Sequence, residues 1–345
     1  MEPQTRYATT RDGVRIAFCT MGEGTAYIEM PPVPISHGAG PAEVPEWQAW
    51  DEELARRGML VMYDCRGAGM SDRDVGDYSL DAWMLDLDAV VDSLGLEQFV
   101  LFAPDSLAVP VAIAYAVRRP ERVSHLILWQ AHADVAYITD DPRFAGIMNL
   151  LDKDWVLFTE VLAQAFEGFS EPATAHREAA QLREHHTAQG LKAALTAAAG
   201  IDVSDLLPQV SSPTLVLHRR EGRQDLKQSV QVASRIPGAR LTVVEGSSGS
   251  WALQHPEAVL RAIDDFLGWT GESAGPSGAT GLSPRELDVL RLLARGRSTR
   301  EIGAELVLAV RTVERHISNI YRKIGAHNRS QATTFAHEHG LTGPS

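Results

Sequence analysis

The sequence predicts an α/β protein, a mostly parallel sheet with a helical cap, followed by a small all-α helix-turn-helix unit. Three observations predict it. Apolar strands alternate with amphipathic helices through the first 130 residues and again from about residue 214. Residues 133–209 interrupt that rhythm with Ala-rich helical sequence and no convincing strand. The last sixty or so residues repeat a Ser-x-x-Glu helix-start box ahead of apolar residues at helical spacing.

In chain order, residues 6–30 hold strand-like runs broken by Asp12-Gly13 and by Gly22-Glu23-Gly24. Asp-Gly between alternating runs signals a hairpin. A further buried strand is expected to end at Pro34-Ile35-Ser36, just before His37-Gly38-Ala39-Gly40. Trp47, Trp50 and Leu54 mark a helix. Residues 58–63 form a strand that runs into Asp64-Cys65-Arg66-Gly67-Ala68-Gly69-Met70-Ser71. A helix over 80–94, a strand over 99–103, a helix over 107–118 and a strand over 123–129 follow. After the helical stretch come a strand at 214–218, a helix near 229–236, a strand at 240–245 and a last helix over 256–269. The insertion follows the strand ending at Trp129, so it covers the sheet's C-terminal edge, where open α/β sheets keep their ligand site. Residues 271–281, GESAGPSGATG, are a flexible linker by composition. They divide the chain into 1–270 and 282–345.

In the C-terminal part, Ser283-Pro284-Arg285-Glu286 supplies a capping Ser, a Pro at the first helical position and a Glu three residues after the Ser. Ser298-Thr299-Arg300-Glu301 repeats the box. Apolar positions recur as Val289, Leu290, Leu292, Leu293, then Ile302 and Leu306, then Val310, Val313, Ile317, Ile320 and Ile324. The second and third helices are separated by only a few residues around 307–309, which makes a helix-turn-helix. The outer face of the third helix carries Arg311, Thr312, Glu314, Arg315, Ser318, Asn319, Arg322 and Lys323. It mixes cations for phosphates with side chains that read base edges. With Ser298 and Thr299 these are the candidate contacts to double-stranded DNA.

The formal charge of −13 suits a DNA binder only once it is divided. Residues 282–345 hold ten Arg and Lys against six acids, or +4; residues 1–281 hold 22 cations and 39 acids, or −17. A screening length of about 8 Å lets the basic patch act if the acidic part is held away from it. Two cysteines, Cys19 and Cys65, have no paired spacing, so neither a disulfide framework nor a metal cage is expected. The polar N-terminus has no signal-peptide character, and no run approaches the ~18 apolar residues of a membrane span. A cytoplasmic protein without metal or cofactor is the expectation.

The C-terminal motifs L-S-P-R-E, S-x-x-E-I and T-V-x-x-H-x-x-N-I-x-x-K-I-G resemble the LuxR/GerE-type DNA-binding domain over its full length. The resemblance implies four helices, the third in the major groove and a fourth, near 329–338, that dimerises. The chain departs from that pattern at Ala309-Val310, where a polar cap is usual, and at Glu314, where Lys is common. Glu accepts from cytosine N4 and repels phosphate, so operator preference does not carry over from relatives.

Residues 6–270 resemble the α/β-hydrolase fold. The landmarks are the strand followed by His37-Gly38, the turn Asp64-x-Arg66-Gly67-x-Gly69-x-Ser71, the run from Ala112 to Val123, and His255-Pro256-Glu257 opening the last helix. Hydrolysis on that fold implies a Ser on a sharp turn, an acid and a His. Ser106 stands at the nucleophile's place in Pro104-Asp105-Ser106-Leu107-Ala108, without the usual flanking glycines. The acid's place falls on Gly222, between Glu221 and Asp225, and the His's place on Gly249. No His occurs between 219 and 254, and a Ser without a base is a weak nucleophile. His132 with Asp134 is the substitute pair to consider. The expected ligand pocket takes His37, Gly38, Ala39, Ser106, Leu107, Trp129, His132, Trp155, Ser250 and Trp251, a lining for a mid-sized, largely hydrophobic effector. The expectation is a dimeric DNA-binding transcription regulator with a pseudo-enzyme sensor. The alternative is an active serine esterase or lactonase that degrades its own inducer.

Overall fold

A computed structural model describes residues 4–32, 44–104, 107–222, 224–269, 284–305, 313, 317, 320, 321, 324, 326 and 328–338. The chain forms two compact units, Met1–Trp269 and Thr270–Ser345. No helix among the described residues is long and apolar enough to cross a membrane.

The large unit is built on strands β1 (Arg6–Thr9), β2 (Arg15–Met21), β3 (Ala26–Glu29), β4 (Met59–Tyr63), β5 (Phe99–Pro104), β6 (Val123–Trp129), β7 (Thr214–Arg219) and β8 (Arg240–Val244). They form one sheet in the order β1-β2-β4-β3-β5-β6-β7-β8. The β1–β2 hairpin closes at Asp12-Gly13, and β2 meets β4 antiparallel; every later pairing is parallel. β3 falls within the strand-like runs expected over 6–30; it ends at Glu29, and Pro31 and Pro32, which lack N–H donors, follow. The end expected at 34–36 for a further strand before His37 lies outside the described residues.

Helices α1 (Pro45–Ala55) and α10 (Pro256–Leu267) cover one face; α2 (Leu80–Ser93), α3 (Ala108–Arg118) and α9 (Leu226–Arg235) cover the other. Strand alternation divides the core between them. Leu101 and Ala103 of β5 pack toward α2 and α3, whereas Val100 and Phe102 pack toward α1 and α10. Between β6 and β7 lies the cap: a short α4 (Ala136–Thr139), then α5 (Pro142–Leu151), α6 (Trp155–Phe166), α7 (Pro172–His185) and α8 (Ala188–Ala198). Asp141, Asp154 and Thr187 cap α5, α6 and α8 through their side chains.

The turn after β4 explains a motif that the sequence left as a landmark. Arg66 and Asp86 are each 1% exposed, and the Arg66 Nε donates to Asp86 Oδ1 at 2.9 Å while the Arg66 N–H donates to Asp86 Oδ2. The same guanidinium reaches Asp12 in the first hairpin at 2.8 Å. Gly67 has φ 82° and lies where a Cβ would come 2.4 Å from the Tyr78 hydroxyl, so only Gly fits. Ser71 donates to the Asp64 carbonyl and accepts from Ala17 N–H, tying the turn to β2. These residues thus build a strand-to-helix junction.

In the small unit, α11 (Pro284–Ala294), α12 (Thr299–Glu305) and α13 (Arg329–Glu338) surround a core of Val289, Leu290, Leu293, Ile302 and Ala332. Val313 and Ile320 are fully buried in it, and Ile317 and Ile324 pack against it. That is the inward stripe expected of the third helix.

Replacing Asp86 with Ala should cost about 3–5 kcal/mol in urea unfolding, because it strands a buried guanidinium. A loss below about 1 kcal/mol would mean that Asp12 alone holds Arg66.

Candidate functional site

The site expected at the sheet's C-terminal edge is organised by Arg219, the last residue of β7. Its side chain is fully buried. Its guanidinium donates to the carbonyls of Glu245 (2.8 Å), Gln254 (2.5 Å), Ser250 (2.9 Å) and Leu253 (2.7 Å), with a longer contact to Ser248. The charge sits 4.9 Å from the centre of the Trp129 ring. Burial pulls the guanidinium down to about 10, which leaves it cationic at neutral pH. All five carbonyls belong to the loop after β8, the loop that carries the triad His in the hydrolases this chain resembles. Two consecutive left-handed residues, Gln254 (φ 47°) and His255 (φ 69°), bend that loop into α10. The Gln254 side-chain oxygen accepts from the N–H groups of Ser247 and Ser248. Such backbone strain persists where the surroundings over-determine it, and here Arg219 supplies the hold.

Gly249 stands at the His position, and the cap has closed over it. Its N–H donates to the Phe166 carbonyl at the end of α6 at 3.0 Å. Its own carbonyl accepts from Trp129 Nε1 at 2.7 Å and from Gln130 Nε2 at 3.2 Å. A Cβ at Gly249 would lie 2.4 Å from the Phe166 oxygen. The direction an imidazole would need is therefore occupied by cap backbone. Next to it, the Ser248 hydroxyl donates to the fully buried Glu167. Burial pushes Glu167 up to about 7 and Glu178, hydrogen-bonded to it, up to about 10. The loop and cap are thus joined by one backbone bond and one buried side-chain bond.

The acid position is crowded by a side chain, not by backbone. A Cβ at Gly222 would come 2.8 Å from Gln130 Oε1. Glu221 is exposed, and Asp225 caps α9 through Lys227 N–H, so neither neighbouring carboxylate turns inward. His132 is fully buried, its ring centre 6.4 Å from that of Tyr137. Asp134 does not orient it; its carboxylate accepts from Ala136 N–H at 2.9 Å, and it lines a mostly polar groove of about 580 Å³ with Tyr137 and Gln228.

The other expected ligand contacts are dispersed. Leu107 packs on the α2–α3 face, Trp129 and Trp251 on the α1–α10 face, and Trp155 stacks on Phe158 at 5.6 Å within the cap. Ser250 is buried and accepts from Trp47 Nε1 at 3.2 Å. His37, Gly38, Ala39 and Ser106 lie outside the described residues, as do Arg311, Thr312, Glu314, Arg315, Ser318, Asn319, Arg322 and Lys323. Ser298 is spent on the capping box: its N–H and hydroxyl donate to Glu301 Oε2 at 2.7 Å, and it accepts from Glu301 N–H. Thr299 opens α12. Arg219, Gln130 and Glu167 were not singled out from the sequence. A charged residue ending an apolar strand, as Arg219 does, was the available signal.

Substituting Gly249 with Ala should destabilise the large unit by about 1–3 kcal/mol through overpacking against α6. An unchanged urea midpoint would show that the cap retreats freely.

Comparison with known proteins agrees with this division. The model of bacterial regulatory proteins of the luxR family matches residues 280–336. The 2-hydroxymuconate semialdehyde hydrolase of Pseudomonas sp. (strain CF600) is 30% identical over 260 residues, 68% of this chain and 86% of that protein. The transcriptional regulatory protein LiaR of Bacillus subtilis (strain 168) is 42% identical over 72 residues, 21% of this chain and 33% of that protein. The solved structure of an N-acyl homoserine lactone degrading enzyme superposes with a TM-score of 0.65 at 22% identity, covering 76% of this chain and all of the other. The chain belongs to the α/β-hydrolase family through its large unit and carries a luxR-family regulatory domain at its C-terminus.

Proposed function

We propose that the large unit of this DNA-binding regulator holds a mid-sized, largely apolar small molecule without hydrolysing it, and that occupancy controls operator binding by a homodimer. The observation that carries the reading is Gly249, whose Cβ direction ends on the Phe166 carbonyl. No imidazole reaches a nucleophile from that position. The relatives' chemistry needs a base there, whereas a binding function needs only the enclosed shape. The joined loop and cap also provide an element that a ligand beneath the cap would have to engage. A ligand shifts DNA affinity only if it binds the DNA-competent arrangement with a different free energy. Dimerisation through α13 would place two third helices on half-sites about one helical turn apart.

The second reading, an active esterase or lactonase, is favoured by the hydrolase relatives, which cover most of the large unit. It requires His132 to serve as base without Asp134 as its orienter.

Full-length protein stripped of small molecules should differ at least tenfold in operator affinity, about 1.4 kcal/mol, from protein resupplied with the extracted molecules, as read by fluorescence anisotropy. Equal affinities would remove the sensor. Ester or lactone turnover that disappears in Ser106→Ala would establish the enzymatic reading instead.

A further inference from the structure

Between α1 and the ends of β3 and β4 lies a small cavity of about 40 Å³. Trp47, Trp50, Tyr63 and Trp251 line it, and so do two carboxyls, Glu29 and Asp51. Asp51 is 6% exposed, and among the described residues no hydrogen bond reaches its carboxyl. Glu29 accepts one, from Trp50 Nε1 at 3.0 Å. The charges that act on Asp51 are those of Glu29 and Glu52, both acids, and burial raises it further. Burial likewise pushes Glu29 up to about 7. A buried carboxyl and a part-buried one therefore face one space, and among the described residues no cation stands beside them.

The composition of the walls selects what would relieve this. A hard metal ion keeps a shell of oxygen ligands. Two carboxyls among indole and phenol rings do not make one, and no group of three or more His, Cys, Asp or Glu is placed to hold a metal among the described residues. An organic ammonium suits both kinds of wall. Its N–H groups donate to carboxylates in charge-assisted bonds, and its carbon side lies against aromatic rings that attract cations. The space exceeds the roughly 10–15 Å³ that one water needs, and it is far smaller than a mid-sized ligand.

We infer that this cavity binds a small organic ammonium group of about methylammonium size, held by Glu29 and Asp51 and enclosed by Trp47, Trp50, Tyr63 and Trp251. The site does not rest on the sensor reading above, since it is separate in size and chemistry from an apolar effector pocket.

Titration of the full-length protein with methylammonium chloride, followed by tryptophan fluorescence, tests it against sodium chloride at equal ionic strength. The expected result is a saturable change with methylammonium alone. Asp51→Asn should weaken it at least tenfold, and Glu29→Gln should act in the same direction. Asp51→Asn keeps the side-chain shape and removes an unpaired buried acid, so its urea midpoint should be no lower than wild type. No saturable change, an equal response to sodium, or undiminished affinity in a folded Asp51→Asn protein would overturn the assignment. The first would mean that the carboxyls share a proton, the second that they respond to ionic strength only, and the third that methylammonium binds elsewhere.

Discussion

The buried guanidinium of Arg219 is the constraint on which the rest of the large unit's ligand edge depends. A charge taken so far from water must be met by hydrogen bonds on all sides. Here the partners are backbone carbonyls of one loop. Collecting them fixes the loop's path, and the path brings Gly249 against α6 and Ser248 against Glu167. In a hydrolase the same loop must present an imidazole with room to move protons. In this chain it presents its main chain to the cap. The two arrangements exclude each other, because the Phe166 carbonyl and a side chain at 249 compete for one space.

A second consequence concerns the relation of cap to sheet. In addition to apolar packing, the cap is tied to the sheet side by directed bonds: Gly249 to Phe166, Ser248 to Glu167, and Gly69 N–H to the His185 carbonyl at the end of α7. Directed bonds have discrete made and broken states, and packed interfaces likewise switch rather than deform continuously. A cap held this way suits a device with two arrangements. The acidic large unit and the weakly basic C-terminal unit are consistent with such a division of labour, since the −17 of residues 1–281 discourages nonspecific DNA contact.

Much of this was legible in the sequence where local rules govern. The Asp12-Gly13 hairpin, the apolar strands at β4 to β8, and the Ser298–Glu301 capping box follow from turn chemistry, periodicity and capping. Gly222 and Gly249 could be placed at the usual acid and base positions by counting from neighbouring landmarks. What glycine does there was not visible. That Gly249 meets Phe166, some eighty residues away in the chain, is a tertiary fact with no local signature. The same holds for Arg219, whose partners are main-chain atoms of a distant loop, and for the Glu167–Glu178 pair, whose members read as ordinary surface acids of amphipathic helices.

The non-hydrolytic reading proposed above rests on the loop after β8, which carries Gly249 at the usual base position and is bound to Arg219 and the cap. Incubation of the full-length protein with a fluorophosphonate, followed by intact mass measurement, tests it most directly, since such probes react with a serine only when a base activates it. No added mass is expected. Stoichiometric labelling that is lost in Ser106→Ala would contradict it.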